Sequence, residues 1–448
     1  LSVMITDILI LDLFNSWGLP TSTTVSIVFE LLGAAVIMSI IKIMGSDGNM
    51  AEIENYINVQ KATEIVIGIL LSVLVAFSIG AIIQWLSRLV LTFDFESKSI
   101  LLNSIFGSLS FTSIINFILI KGIKGTPYSS ESYSALNNMT INEFIDSNII
   151  LFWIISLIFW FLISFLICKL FKLDIYKIII AIGTFSLALA FAGNDLVNFI
   201  GVPIAAIESF QSWSSSSISA AEFSMISLSE KVNTPPIYLF ISGLIMVITL
   251  WFSSKAKNVV KTSLDLSNQN EIDEKFQSNF IGRLLVNFGL SLNKVFIKII
   301  PDNILHKINQ SFKFNSNLNI EKSIDGTRPS FDKLRASLNL VIAAILISVA
   351  TSYKLPLSTT YVTFMVAMGT SLSDRAWTNN SAVYRVSGVV SVIGGWFLTA
   401  LSAFIICGLI VFVINLFKLV GVIITLIIVI TIIISNHRNF IKKGEIEI

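Results

Sequence analysis

The stretch Leu19-Pro20-Thr21-Ser22-Thr23-Thr24 recurs as Leu355-Pro356-Leu357-Ser358-Thr359-Thr360, with five of six positions identical at a constant shift of 336 residues. The match continues outward at the same shift: Ser16-Trp17 falls on Ser352-Tyr353, and Gly33 on Gly369. Such repetition divides the chain into two related halves, the sequence signature of many secondary transporters. Proline cannot continue a preceding helix but fits a first turn, and Ser and Thr are good N-caps. Each copy therefore predicts a hairpin inside a membrane, whose second arm, from Val25 or Tyr361 onward, is a half-helix. The start of such an arm offers free backbone N–H groups, a positive dipole end and three hydroxyls, which together suit an anion. Two copies facing each other surround a tetrahedral oxyanion with donors and no permanent positive charge, so the ion can be held and released. A lone Ser-Thr-Thr reads more simply as caps and carbonyl back-bonds; its repetition behind Leu-Pro favours the site.

The composition agrees with a membrane setting. Of 448 residues, 54% are hydrophobic and 13% charged, about half the charge of a soluble domain. Apolar runs lie near residues 25–44, 63–91, 100–120, 149–171, 175–191, 237–252, 338–351, 383–417 and 420–434, and a crossing needs roughly 20 such residues. The run 383–417 exceeds one upright crossing and contains Gly394-Gly395, so it is either one tilted, kinked helix or two. The expected fold is an all-α polytopic membrane protein, an inverted-repeat secondary transporter with two re-entrant helical hairpins. Thirty basic against 28 acidic side chains leave no basic stripe for nucleic acid. Cys168 and Cys407 sit in apolar runs and make no disulfide framework or thiolate metal site. His306 and His437 supply neither a His-Glu-x-x-His pair nor a base beside a nucleophilic serine. No enzyme activity and no cofactor are expected.

One long hydrophilic stretch, 255–330, carries 11 Lys and Arg against 7 Asp and Glu. The basic residues flanking it, Lys255, Lys257, Lys261, Lys333 and Arg335, place it in the cytoplasm. Arg438, Lys442 and Lys443 of the tail, and the turn with Lys169, Lys172 and Lys177, fall on the same side; 127–147 and the serine-rich 208–236 become outside loops. Within the insert, 280–300 reads as a helix lying on the inner membrane surface rather than as a partner-binding segment. The expected divisions are 1–147, the remainder of a first repeat with hairpin 1 at about 15–45; 148–254, the opening of the second repeat; 255–330, the insert; 331–435, the second hairpin and closing helices; and 436–448, a cytoplasmic tail.

A second element, Gly193-Asn194-Asp195-Leu196-Val197-Asn198, ends the run at Phe191. An ionisable residue inside an apolar stretch is expensive in a bilayer and marks a functional site by default. Asp195, the amide oxygens of Asn194 and Asn198, and carbonyls freed where Gly193 and Gly201 break the helix form an oxygen set for a small hard cation. The simpler reading is an Asp that caps the next helix. A cation carboxylate beside anion hydroxyls suggests symport. Asp195 lies 163 positions before Ser358, whereas only 21 residues precede Ser22. A partner motif would fall before Leu1, and the chain is expected to lack part of its first repeat.

These residues resemble the inorganic phosphate transporter family, the PiT or PHO4 group of sodium- or proton-coupled phosphate symporters, and the chain is similar to an N-terminally truncated member. That family carries, once per inverted repeat, a Gly-Ala-Asn-Asp-Val-Ala-Asn-type motif and a Pro-x-Ser-Thr-Thr-His-type hairpin. The run from Gly193 through Pro203 resembles the second copy of the first motif, and Pro20 to Thr24 and Pro356 to Thr360 resemble the hairpins. Ser373-Asp374-Arg375 and Tyr384-Arg385-Val386-Ser387-Gly388 extend the likeness. The hairpin histidine is replaced here by Val25 and Tyr361, Gly193 abuts Asn194 without the intervening Ala, and the insert separates the Asp motif from its hairpin.

The resemblance implies that Ser22, Thr23, Thr24, Ser358, Thr359 and Thr360 contact phosphate, and that Asn194, Asp195 and Asn198 hold transported sodium or protons, with no other metal. It implies import across the cell membrane by alternating access, with inorganic phosphate, sodium or proton, the lipid bilayer and a second copy in a homodimer as partners. An electrogenic step with a phosphate dianion needs more than two monovalent cations, and each net charge moved contributes about 2.3 kcal/mol per 100 mV. Glu30 suits either a cation or proton role or an ion pair with Arg88 or Arg385. Gln84 and Arg88 share a helix face at i, i+4 and either line the pathway or anchor at the interface, the simpler reading for an Arg near a span end; Glu30, Gln84 and Arg385 are the candidate pathway residues. An anion channel with the same half-helices is the competing reading, as is a symporter for another oxyanion such as sulfate; Asp195 would be superfluous in a pore.

Overall fold

The computed structural model describes residues 1–45, 49–124, 131–134, 138–219, 222–225, 234–268, 276–313, 329–352, 357–375 and 381–446. Its helices are α1 (Ser2–Ser16), α2 (Thr23–Gly45), α3 (Val59–Leu91), α4 (Ile100–Lys124), α5 (Ile141–Ser147), α6 (Ile149–Leu166), α7 (Ile175–Phe191), α8 (Val197–Ser214), α9 (Pro236–Phe252), α10 (Ser254–Ser267), α11 (Phe280–Ile299), α12 (Asp302–Ser311), α13 (Lys333–Ser352), α14 (Thr359–Ser373) and α15 (Ala382–Ile446). A two-residue ribbon, Ser132–Tyr133 against Met139–Thr140, precedes α5.

Among the described residues, six helices are long and apolar enough to cross a membrane, or seven if α9 and α10, bent by 69° where they meet, form one span. Large side chains on α6 and α9, such as Ile150 and Trp251, stay exposed, as expected where the solvent is lipid rather than water.

Several elements differ from the sequence reading. The first arm of hairpin 1 begins at Ser2, ahead of the expected boundary near 15. Asp7 and Asp12 mask an apolar stretch that in fact buries Val3, Ile5, Ile10 and Phe14. The second arm, α2, has 23 residues, about 34 Å at 1.5 Å per residue, and is long enough for a full crossing; α14, with 15 residues, is the shorter arm. The helix through Phe191 does not break at Gly193 or Gly201. It passes through a π-helical turn, Ala192–Leu196, directly into α8, so the segment read as an outside loop from 208 is helical up to Ser214. Gly394-Gly395 does not interrupt α15 either. Its break is Lys418, at φ 54°. There the chain folds back, so that Val429 packs on Ile410 and Ile5 and a Cβ on Gly421 would lie 2.7 Å from the Val413 carbonyl oxygen.

The two hairpins are packed crosswise. The arm α2 of the first hairpin lies on α15, which follows the second; α14 of the second hairpin lies on α3, which follows the first. Each crossing is a glycine pair. A Cβ on Gly33 would overlap the Phe404 carbonyl, and one on Gly408 would stand 3.6 Å from the Gly33 oxygen. In the other half, a Cβ on Gly369 would overlap the Phe77 carbonyl, and one on Gly80 would meet the Val366 oxygen at 2.9 Å. Small residues let backbones approach closely where lipid provides no hydrophobic drive. Gly33 and Gly369 are related by the 336-residue shift, so the repeat extends into the packing.

Both ends of hairpin 2 return to one face, where Arg88 closes them. Its Nε donates to Asp374 at 2.6 Å, its Nη2 to Asp374 and Asp332 at 2.7 Å each, and its Nη1 to the Thr92 carbonyl at 2.9 Å. Asp374 ends α14 and Asp332 precedes α13, so one buried guanidinium ties the base of the hairpin to α3. Lys333 adds contacts to Asp174 at 2.7 Å and Glu96 at 2.8 Å. Within the insert, α10 starts beside the C-terminal helix: Lys255 is paired with Asp12 and lies 5.8 Å from the Phe440 ring. The start of the insert and the tail therefore meet beside α1.

Gly33→Ala and Gly369→Ala should each lower the melting temperature of the purified protein, at a cost of about 1–3 kcal/mol for the overlap. Gly394→Ala, where an added Cβ meets nothing within 4 Å, should leave melting unchanged or raise it.

Candidate functional site

The hairpin tips are built by the same capping chemistry. Ser22 Oγ accepts the Val25 N–H at 3.1 Å, and Ser358 Oγ accepts the Tyr361 N–H at 3.1 Å. Both serines are thus helix caps, satisfying a donor that the first turn of α2 or α14 leaves open. Pro356 and the preceding three residues lie outside the described residues; Pro20 does not, and its carbonyl accepts Trp396 Nε1 at 2.8 Å.

The two tips meet the Asn-Asp motif. Asp195 Oδ2 accepts the Thr359 hydroxyl at 2.6 Å, and Oδ1 accepts the Thr24 hydroxyl at 3.4 Å. Thr24 and Thr359 occupy neighbouring positions of the repeat, one from each hairpin, and the carboxylate sits between them. The asparagines complete the cluster. Asn198 Nδ2 donates to Thr24 Oγ1 at 2.9 Å and to Asn194 Oδ1 at 3.0 Å; Asn194 Nδ2 donates to the Leu357 carbonyl at 3.2 Å. The π-helical turn makes this possible. A π turn inserts a residue and shifts the register of the side chains after it, and such turns occur often at functional sites. Here the turn lets Asn194 and Asp195 face the tips while α7 and α8 continue as one helix.

Thr23 and Thr360 are half-buried beside the caps, whereas Ser22, Thr24, Ser358 and Thr359 are buried. The structure therefore brings together Thr24, Thr359, Asn194, Asp195 and Asn198 in one hydrogen-bonded group, with Ser22 and Ser358 supporting it from behind. The oxygens of Asp195, Asn194, Leu357 and the two threonines are hard ligands of the kind that small cations use, and the two helix starts add N–H groups for an anion.

The candidate pathway residues stand apart from this group. Glu30 is fully buried and takes the Ser26 hydroxyl at 2.7 Å. The ion pair considered with Arg88 or Arg385 does not form, because Arg88 is committed to Asp332 and Asp374 and Arg385 Nη1 donates to the Asn268 carbonyl. Gln84 is buried without a hydrogen bond to its side-chain amide.

Trp396 and Thr399 of α15 escaped the sequence reading. The Trp396 ring stacks on Tyr361 at 3.7 Å while its N–H holds Pro20, and Thr399 accepts the Thr21 hydroxyl at 2.9 Å. One indole therefore touches both hairpins. Its only signal in the sequence is an aromatic residue next to Gly394-Gly395, and an intramembrane Trp is too common to single out on that ground.

No protein-family model matches the chain, and no curated protein matches it. Among solved structures, one described as "The sodium-dependent phosphate transporter" is similar, with a TM-score of 0.50, 16% identity, and 93% of this chain and 80% of that chain covered. At that identity the likeness is one of fold, and the chain is an all-α polytopic membrane protein.

Proposed function

We propose that the protein is a cation-coupled symporter that imports inorganic phosphate by alternating access. The observation that carries this reading is the position of Asp195 between Thr24 and Thr359. The hydroxyls that must donate to an oxyanion are the same ones that donate to a carboxylate. An anion cannot approach an uncompensated carboxylate at that range without strong repulsion. A sodium ion or proton on Asp195, with Asn194 and Asn198 beside it, removes the charge and frees the two threonines, so cation binding prepares the anion site. Phosphate is then held by Thr24 and Thr359, the helix starts behind Ser22 and Ser358, and the flanking Thr23 and Thr360. The fold shared with a sodium-dependent phosphate transporter supports the substrate class.

The two hairpins belong to opposite halves, so rocking one half against the other opens the site to one face at a time. The basic residues around the insert favour the cytoplasm for it and the tail, in a multi-pass protein of the cell membrane. The competing anion-channel reading has no use for Asp195.

Reconstituted protein should accumulate radiolabelled phosphate against its gradient when an inward sodium or proton gradient is imposed. Flux that only equilibrates phosphate would establish a channel, and sulfate outcompeting phosphate would move the substrate to another oxyanion. Asp195→Asn and Thr359→Ala should each reduce uptake about tenfold to a hundredfold at equal expression, the scale of a charge-assisted hydrogen bond worth about 1.5–3 kcal/mol. A cysteine placed at Lys307 in a background without Cys168 and Cys407 should react with a membrane-impermeant maleimide only after the membrane is opened.

A further inference from the structure

The first half of the molecule holds a second set of intramembrane acids, away from Asp195. Asp7 on α1 and Glu30 on α2 are 1% and 0% exposed. At the 336-residue shift their counterparts are Ala343 and Val366, both buried. The hairpin architecture therefore does not require acids at these positions; hairpin 2 is built with apolar side chains instead. Ser26, also fully buried, donates its hydroxyl to Glu30 Oε1 at 2.7 Å and lies within hydrogen-bonding reach of Asp7. Glu30 also lies within range of the charge on Asp7. Asp7 Oδ1 and Glu30 Oε2 have no hydrogen-bond partner.

Among the described residues, the groups packed around them supply no positive side chain. On α1, Thr6 gives its hydroxyl to the Ser2 carbonyl at 2.9 Å. On α15 the titratable neighbour is Cys407, with the Leu1 amine near that thiol. Lys255 of α10 is engaged by Asp12, more than a helical turn further along α1. Arg88 is taken by Asp332 and Asp374. A pair of ionised carboxylates enclosed in this way repel each other without solvent to screen them. The single hydroxyl proton of Ser26 cannot serve both.

We propose that the pair Asp7 and Glu30 carries one bound proton, forming a proton site in hairpin 1 separate from Asp195. The proton adds to a carboxylate oxygen of one acid, so the net charge of the pair falls from minus two to minus one. Asp7 Oδ1 and Glu30 Oε2, which meet no donor among the described residues, are the oxygens open to it. Because α1 and α2 bury the pair against α15, a movement of hairpin 1 relative to α15 that admits water releases the proton. A coupling role for this site rests on the symport reading; the bound proton does not.

Infrared spectroscopy on the purified full chain reads the proton directly and needs no transport. At neutral pH the protein should show the carbonyl stretch of an un-ionised carboxylic acid. That band should persist in Asp195→Asn and vanish in the Asp7→Asn, Glu30→Gln double variant, whose amides keep the shape of the acids. Absence of the band in the unmodified protein, or its survival in the double variant, would overturn the proposal. So would a band that sodium removes at constant pH, which would make the pair a sodium site. If the double variant does not fold, the band of the unmodified protein must fade on titration to alkaline pH and return on acidification; a band that resists titration overturns the proposal. If the band behaves as expected but no phosphate is taken up, the symport reading fails and the proton site stands. If both hold, the double variant should lose the response of uptake to an imposed proton gradient.

Discussion

A carboxylate placed at the meeting point of two opposed hairpins must draw its hydrogen bonds from both, and the arrangement of Asp195 follows from that requirement. Thr359 lies one position and Thr24 two positions from a serine cap, so the geometry of the acid depends on the first turn of α14 and of α2. Those turns depend in turn on the glycine crossings that press α2 onto α15 and α14 onto α3. Loosening either crossing would move a threonine relative to the acid. Burial raises the energetic weight of each contact, because an unsatisfied polar group in a bilayer has no water to fall back on.

The charges divide between two duties. Arg88, Asp332 and Asp374 are matched with one another at the base of hairpin 2, where a buried guanidinium with two carboxylates holds an end in place. Breaking such a set by removing one partner leaves a charge uncompensated. Among the described residues, Asp195, Asp7 and Glu30 have no cationic side-chain partner in their hydrogen bonding. Matched charges fix the scaffold, and the acids without a cationic partner lie in hairpin 1 and at the π turn.

The hairpins and the Asn-Asp motif were legible because their chemistry is local and repeated: a proline and a serine cap each specify a helix start without reference to the rest of the chain. Arg88 illustrates what was not legible. Its position near a span end reads as an interfacial anchor, yet its partners lie 244 and 286 residues away. The first arm of hairpin 1 was overlooked because Asp7 and Asp12 interrupt its apolar pattern, and hydropathy treats a buried acid as evidence against burial. The π turn was invisible for a different reason. Gly193 and Gly201 both lower helix propensity, yet the helix runs through both and only its register changes. Trp396 was missed because its significance lies in contacts to Pro20 and Tyr361, both distant in sequence.

The crosswise packing has a consequence for the order of assembly. Gly33 needs the backbone at Phe404, and the carbonyl of Pro20 needs the indole of Trp396. During synthesis, hairpin 1 emerges before its partner helix exists, and more than 350 residues must follow before α15 is complete. Until then its capped tip and the acids Asp7 and Glu30 lack the surface that finally encloses them. The nascent hairpin must therefore wait, in the translocon's shelter or near the headgroups, until the last helices are inserted. Insertion and final burial are separate events for this segment, and a ribosome stalled before α15 would leave hairpin 1 exposed to quality-control proteases.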